Sequence, residues 1–169
     1  MDRVLESMCA LISTTPQRWI SLAQALPVEL LVLPPAEGEW SAVECLQHLI
    51  DTELTYQFRV QAFLAGHDFP NFDPDTEGTQ PGAQSPLAMA EEFARLRQES
   101  LVMIEALSPA DLKRTARHGE LGMVTLSEMV HNWAAHDLNH TVQAERAMMQ
   151  PFIQGCGPWQ KFYTDHLRK

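Results

Sequence analysis

The sequence contains no uninterrupted apolar stretch that approaches the ~20 residues of a membrane-spanning helix. Its N-terminus lacks the basic region, apolar run and cleavage site of a secretory signal. The three cysteines, Cys9, Cys45 and Cys156, form no CxxC pair, and their odd number argues against a disulfide framework. These absences predict a cytoplasmic protein that does not insert into a membrane.

Positive charge is also scarce, since 12 Lys and Arg stand against 22 Asp and Glu, for a formal net charge of −10 at pH 7. Such a surface would repel phosphate backbones and anionic lipid headgroups, so neither nucleic acid nor a membrane is expected as a partner. The sequence has no internal repeat, GxGxxG motif, Walker loop or GxSxG motif. The usual signatures of dinucleotide binding, phosphate-loop chemistry and serine hydrolysis are therefore missing.

What is present is a single domain, residues 1–169, in which 45% of the residues are hydrophobic. Apolar spacing, capping boxes and prolines predict four long helices and their connections. The expected segments are a helix from Arg3 to about Leu26 broken at Thr15-Pro16, a short turn within residues 28–33, a helix from Ser41 to near Gly66, a surface loop over 67–84, a helix from Ser85-Pro86 to about Leu107, a hairpin-like connection over 114–123, a helix from Thr125 to about Gln150 ended by Pro151, and a tail with a short aromatic helix packed over one end.

Three histidines fall on or beside the inward-facing stripes of two of these helices. With side chains turned by ~100° per residue, His136 and His140 lie one turn apart on the buried side of the fourth helix. His48 takes a similar marginal place on the second helix, whereas His131 should point to solvent. An imidazole pair of this kind is either two hydrogen-bonded core histidines or two metal ligands. A third inward ligand favours the metal site.

Three neutral imidazoles without an obvious fourth ligand describe a catalytic-type metal site with open coordination positions. Such a site suits Zn²⁺, Ni²⁺ or Fe²⁺ about equally. Cys45 could add a ligand one turn before His48, but it fits better as a small buried hydrophobe. Asp51, Thr52 and Thr55 lie at or just beyond the margin of the same helix face, where they could support a ligand or line a pocket.

Two carboxylates project into apolar stripes and need partners. Glu53 is expected to be a structural acceptor paired with Trp40, an arginine or a loop N–H. Asp137 should either hydrogen-bond a neighbouring helix or orient a ligand imidazole. His118, in the connection before the fourth helix, is expected to be exposed.

Two motifs resemble those of the DinB-like metal-binding proteins. The first is Glu39-Trp40-Ser41 followed by Glu44 and the run His48-Leu49-Ile50-Asp51-Thr52-Glu53, and the second is His136-Asp137-Leu138-Asn139-His140 with Gln143 behind it. The resemblance covers nearly the whole chain. It implies an all-α, up-down-down-up four-helix bundle with long loops and a short C-terminal helix, often homodimeric. In it His48, His136 and His140 hold a divalent ion, with Asp137 and Gln143 among the supporting candidates.

Members of this family with known activity include S-transferases that use bacillithiol or mycothiol and a mycothiol-dependent maleylpyruvate isomerase. The resemblance therefore favours transfer of a low-molecular-weight thiol to a small electrophilic substrate. Two alternatives remain open. A metal-dependent hydrolase would need a general base near the ion, and no HExxH glutamate stands between His136 and His140. A non-catalytic bundle would use its ion or pocket only for stability or for binding a small molecule.

Overall fold

Four helical arms surround two apolar clusters in the computed structural model, which describes residues 3–72 and 82–167. The elements in chain order are α1 (Arg3–Ile12), α2 (Thr15–Ala25), α3 (Val28–Val32), α4 (Ala42–Ala65), α5 (Pro86–Glu105), β1 (Thr115–His118), β2 (Gly122–Thr125) and α6 (Leu126–Gly155). Short 3-10 turns, Asp111–Lys113 and Gly157–Phe162, precede β1 and follow α6. The helices α1 and α2 form one arm, and α4, α5 and α6 are the other three.

The contacts between helices give the direction of each arm. Glu53 of α4 contacts Arg97 of α5, and Gln57, further along α4, contacts Ser100, further along α5, so these helices run parallel. Later residues of α4 contact earlier residues of α6, so α6 runs in the opposite direction. The first arm is antiparallel to α4, because α1 packs with the C-terminal half of α4 and α2 with the N-terminal half. The topology is therefore up-down-down-up, as predicted.

Capping boxes begin both helices that carry the three histidines. At α4, the Ser41 backbone N–H donates to Glu44 at 2.7 Å and the Glu44 backbone N–H donates back to the Ser41 hydroxyl. Thr125 and Glu128 make the same reciprocal pair at the start of α6. Gly66 ends α4 with a φ of 72°, a left-handed conformation that favours glycine. These local signals fix where the two helices begin. The turn of ~100° per residue then sets which residues share a face with each histidine.

The end of α6 differs from the prediction, because the helix continues through Pro151 to Gly155. Proline removes one backbone donor from the helix but is compatible with helical φ. The burial of Ile153 and two bonds from the Gln150 amide, to the carbonyl oxygens of Arg146 and His166, hold the extra turn in place. The predicted short C-terminal helix is present as the 3-10 turn Gly157–Phe162, but its aromatic residues Trp159 and Phe162 are exposed and not packed over one end as predicted.

The connections agree with the prediction where the structure describes them. The segment over 114–123 is part of a two-stranded antiparallel hairpin, β1 paired with β2. Residues 67–72 and 82–85 contain no helix, and Phe69 forms a bridge to His118 of β1. The remainder of the predicted loop, residues 73–81, lies outside the described residues. Within the described ranges, no helix combines the length and hydropathy needed to cross a membrane.

Candidate metal centre

The antiparallel packing of α4 against α6 brings the three predicted histidines together. The ligand atoms that His48, His136 and His140 offer lie within 4.8 Å of one another. The Nε2 atoms of His48 and His136 are 3.0 Å apart, and the His140 ring centroid is 4.4 Å from each of the other two. His131, predicted to face solvent, is exposed and bonded through Nδ1 to the Ser127 carbonyl. The face assignments made from the sequence are therefore confirmed for all four histidines.

The chemistry of these donors fits a divalent ion. Burial, with the neighbouring imidazole of His140, lowers the pKa of His48 to about 4. Burial, with the neighbouring imidazoles and two arginines, lowers the pKa of His136 to about 3. Burial also lowers the pKa of His140. Neutral rings offer lone pairs at neutral pH, and two nitrogens bound to one ion at ~2.0–2.1 Å stand ~3 Å apart when adjacent, close to the observed separation. The cluster could therefore hold a metal.

Gln143 settles the tautomer of one ring. The Nδ1 atom of His140 lies 2.9 Å from Oε1 of Gln143, and an amide oxygen can only accept, so Nδ1 carries the hydrogen. Nε2 of His140 is then left with its lone pair for the centre of the cluster. A metal-binding histidine usually makes this kind of outer hydrogen bond. The Nδ1 atom of His136, by contrast, is buried without a hydrogen-bond partner among the described residues.

The other supporting candidates make mainly local contacts. The Thr52 hydroxyl donates to the His48 carbonyl oxygen at 2.8 Å, and the Thr55 hydroxyl donates to the Asp51 carbonyl oxygen at 3.1 Å. The Asp51 carboxylate accepts from the Gln47 amide. Both threonines also line the pocket beside the histidines. Their hydroxyls therefore bond the backbone of α4, while their side chains form part of the pocket wall.

Cys45 is fully buried in an apolar cluster, as the sequence analysis favoured. Burial, with the nearby carboxylate of Glu44, raises the pKa of this thiol to about 12. The described cluster of possible ligands is formed by histidines alone, so Cys45 is a small core residue.

An ionic network lies in the bundle core next to the cluster. Arg97 of α5 donates to both carboxylate oxygens of Glu53, at 2.8 and 2.9 Å, and to Asp137 at 2.6 Å. Trp133 donates its indole N–H to Glu53 at 3.3 Å. Glu53 therefore takes the arginine partner that was one of its predicted options. Asp137 follows the first of its two predicted options, a hydrogen bond to a neighbouring helix.

Arg97 was not among the residues predicted from the sequence. The residue lies one turn after Phe93 and about two turns before Ile104, both of which are fully buried, so helical spacing places it on the buried face of α5. Its guanidinium lies 4.7 Å from the centre of the Phe93 ring. The sequence signal that could have identified Arg97 was a charged residue on the buried face of one helix, together with two inward carboxylates that needed a partner.

A pocket of about 310 Å³ opens beside the three histidines. Trp40 forms one wall, with its ring centroid 4.9 Å from that of His48 and 5.8 Å from that of His140. Phe72 lies on another side, 6.4 Å from the His48 ring. The residues that line the pocket are Trp40, His48, Thr52, Thr55, Tyr56, Arg59, Asn71, Phe72, His118, Asn132, His136 and His140. Among these described residues there is one arginine and no carboxylate.

His118 is part of this wall, which corrects the expectation that it is exposed. Only 7% of the residue is exposed, and its ring packs edge-on against Phe69 at 5.6 Å. Side chains alternate between the two faces of a strand, and in β1 the buried positions are Ala116 and His118. The prediction was wrong because it did not assign a strand register to the connection.

The fold and the cluster define a class, namely a four-helix bundle with a candidate three-histidine metal centre between two antiparallel helices. Residues 11–144 match the sequence model of the DinB superfamily, and the chain belongs to this family. The recognition made from the two sequence motifs is therefore confirmed.

Two solved structures from Bacillus subtilis share the fold. YfiT, described as a probable metal-dependent hydrolase with an unusual four-helix bundle topology, is 14% identical, with a TM-score of 0.75 over 90% of each chain. The DinB-like protein YjoA is also 14% identical, with a TM-score of 0.59 over 85% of this chain and 91% of its own. The comparison with curated protein sequences gives no match.

Proposed function

We propose that this chain is a cytoplasmic metal-dependent enzyme in which His48, His136 and His140 hold one divalent ion, Zn²⁺, Ni²⁺ or Fe²⁺. The observation that carries the proposal is the convergence of three neutral imidazoles, with ligand atoms within 4.8 Å of one another, on a pocket of about 310 Å³. Three protein ligands leave coordination positions open for a small molecule, as in catalytic sites.

The reaction we propose is transfer of a low-molecular-weight thiol to a small electrophile. A divalent ion in such a site supplies the means to keep a thiol deprotonated near neutral pH. Trp40 and Phe72 supply aromatic surface to the pocket wall, and Arg59 provides a positive charge. In the balanced reaction the thiol loses its proton, the sulfur forms a bond to an electrophilic carbon, and the bond from that carbon to its leaving group breaks. The proton passes to solvent or to the departing group. The described lining has no carboxylate base, and this reaction does not require one.

Metal-dependent hydrolysis is the second candidate, favoured by the likeness to YfiT, which is described as a probable metal-dependent hydrolase. Hydrolysis at a metal centre usually uses a nearby group that accepts a proton from the attacking water. A carboxylate would be the ordinary choice, and the described pocket wall contains none. For this reason we rank hydrolysis below thiol transfer.

One assay separates these reactions. Loss of 1-chloro-2,4-dinitrobenzene would be measured with metal-loaded protein in the presence and absence of a thiol such as cysteine, and hydrolysis of 4-nitrophenyl acetate would be measured without thiol. Thiol transfer requires consumption of the aryl chloride that depends on protein, thiol and metal together and that is lost in His136→Ala but not in His131→Ala. Metal-dependent ester hydrolysis without thiol, and no thiol transfer, would instead favour the second candidate.

We also propose that the protein forms a homodimer. The expectation comes from the family resemblance, and the support on this chain is a group of exposed aromatic side chains at the C-terminal end, Phe152, Trp159 and Phe162. Exposed aromatic side chains are enriched at interfaces. Sedimentation at micromolar concentration tests this proposal, and a single species near the chain mass of 19.1 kDa would contradict it.

A further inference from the structure

On one side of the pocket wall, the hydrogen-bond donors of Arg59 and His118 lie next to each other, and no described carboxylate lines the pocket. The Nη2 atom of Arg59 lies 3.4 Å from Nε2 of His118, and both residues line the pocket. The guanidinium is only a donor, because arginine stays protonated in proteins. The nature of the contact therefore depends on which nitrogen of His118 carries the hydrogen.

The backbone of the hairpin answers that question. The backbone N–H groups of Glu120 and Leu121 both point at Nδ1 of His118, at 3.1 and 3.3 Å. Nδ1 must therefore be the acceptor, and the hydrogen of the neutral ring is on Nε2. The Nε2–H of His118 and the N–H groups of Arg59 then face the same small space as two adjacent donors. Two donors at this distance are stabilised by an acceptor that bridges them.

Further contacts fix the positions of these donors. The Arg59 guanidinium lies over the Phe69 ring, 5.3 Å from its centre, and no ion pair to Arg59 occurs among the described residues. The Tyr56 hydroxyl, on the same pocket wall, accepts from the Asn132 amide at 2.8 Å, which leaves its own hydrogen available to donate. A guanidinium, an imidazole N–H and a phenol O–H thus line a wall that contains no described carboxylate.

This group of donors is on the same face of α4 as the metal ligand candidate. Arg59 follows His48 by about three helical turns and by roughly 20° around the axis. Side chains in a helix lean toward its N-terminus, which for Arg59 is the side of His48. The three histidines and these donors line the same pocket of about 310 Å³, which can hold one small molecule.

We propose that Arg59, His118 and Tyr56 form an anion subsite that receives the carboxylate of a small organic acid whose reacting group faces the three histidines. A carboxylate suits the subsite because it is planar, carries one charge to match one guanidinium, and has two oxygens that accept from adjacent donors. The aromatic walls formed by Trp40 and Phe72 fit the carbon skeleton of such an acid. The placement of the reacting group at the histidines rests on the proposed function. The binding of the carboxylate rests only on the three donors.

The test compares benzoate with benzamide, which has almost the same shape and no charge. Each is titrated into the full-length, chelator-treated protein by calorimetry or ligand-observed NMR, so that a carboxylate cannot bind to a metal ion. We expect benzoate to bind at least tenfold more tightly than benzamide. Arg59→Met should weaken benzoate binding by tenfold or more and leave benzamide unaffected. The matched control Arg95→Met, which alters an exposed arginine on α5, should change neither.

The outcomes distinguish this subsite from the metal centre. Benzoate binding that persists in His136→Ala, a variant expected to lose metal, supports the subsite independently of the proposed function. Metal-dependent activity without any preference for benzoate would leave the proposed function intact and overturn the subsite. Equal binding of benzoate and benzamide, no detectable benzoate binding, or unchanged binding in a folded Arg59→Met variant would each overturn it. The wild-type comparison needs no variant, so it decides the question even if Arg59→Met does not fold.

Discussion

Replacing Arg97 by methionine would remove the only positive charge from an ionic network buried in the middle of the described bundle. The guanidinium makes five hydrogen bonds, two to Glu53, one to Asp137, one to the Ile12 carbonyl oxygen and one to the Thr15 hydroxyl. Arginine has five N–H donors, so each one is used. Through these bonds Arg97 joins α4, α5, α6 and the break between α1 and α2.

The expected cost follows from burial. The side chains of Arg97 and both carboxylates are at most 1% exposed, so Arg97→Met leaves Glu53 and Asp137 in the core without a counter-charge. Removing one partner of a buried ion pair lowers the free energy of unfolding by about 3–5 kcal/mol. With an m value of about 2 kcal/mol per molar urea, the unfolding midpoint should fall by roughly 1.5–2.5 M.

Urea unfolding followed by tryptophan fluorescence measures this shift, since Trp133 donates to Glu53 and Trp19 is also buried. The control is Arg95→Met, on the same helix but exposed and paired with surface glutamates, which should leave the midpoint nearly unchanged. Adding Glu53→Gln and Asp137→Asn to Arg97→Met should recover part of the loss, because neutral amides need no counter-charge. A midpoint for Arg97→Met equal to that of the control would refute the reasoning.

Three further predictions concern the histidine cluster. His140→Ala should sharply reduce the bound divalent metal found by elemental analysis of tag-free protein, because two ligands remain, while His131→Ala should keep full occupancy; equal occupancy would show that the site is misplaced. Gln143→Leu should weaken metal binding by about 10–100-fold in a competition titration by removing the acceptor behind His140, and unchanged affinity would contradict that role. The melting temperature should be higher with bound metal than after chelation, and the difference should grow with the metal concentration present before chelation. Chelation should not change the melting temperature of His136→Ala.

The sequence predicted those parts of the fold that depend on local signals. The capping boxes at Ser41 and Thr125 place the first turns of α4 and α6, and helical spacing then orients every later residue on those helices. The face that a residue occupies depends on its spacing from the apolar residues of the same helix. The convergence of His48 with His136 and His140 therefore followed from spacing together with antiparallel packing.

Features that depend on contacts between distant segments were harder to predict. Pro151 was expected to end α6, but the tertiary contacts of the following turn outweigh the loss of one backbone donor. His118 was expected to be exposed, because a four-residue strand has too little alternation to reveal its register. Arg97 was overlooked because its burial depends on two carboxylates that approach from other helices.

The same buried network also connects the stability of the fold to the geometry of the candidate centre. Asp137 is held by Arg97, and it is flanked on α6 by His136, the next residue toward the N-terminus, and by His140, about one turn further on. Glu53 is held by the same guanidinium and lies on α4, which carries His48. One arginine therefore fixes the two ligand-bearing helices relative to each other, close to the level at which the imidazoles meet. Ligands on facing helices stay close enough to bind one ion only if the helices do not slide past each other. Apolar packing tolerates small shifts, whereas a buried guanidinium whose five hydrogen bonds are all made resists them more strongly.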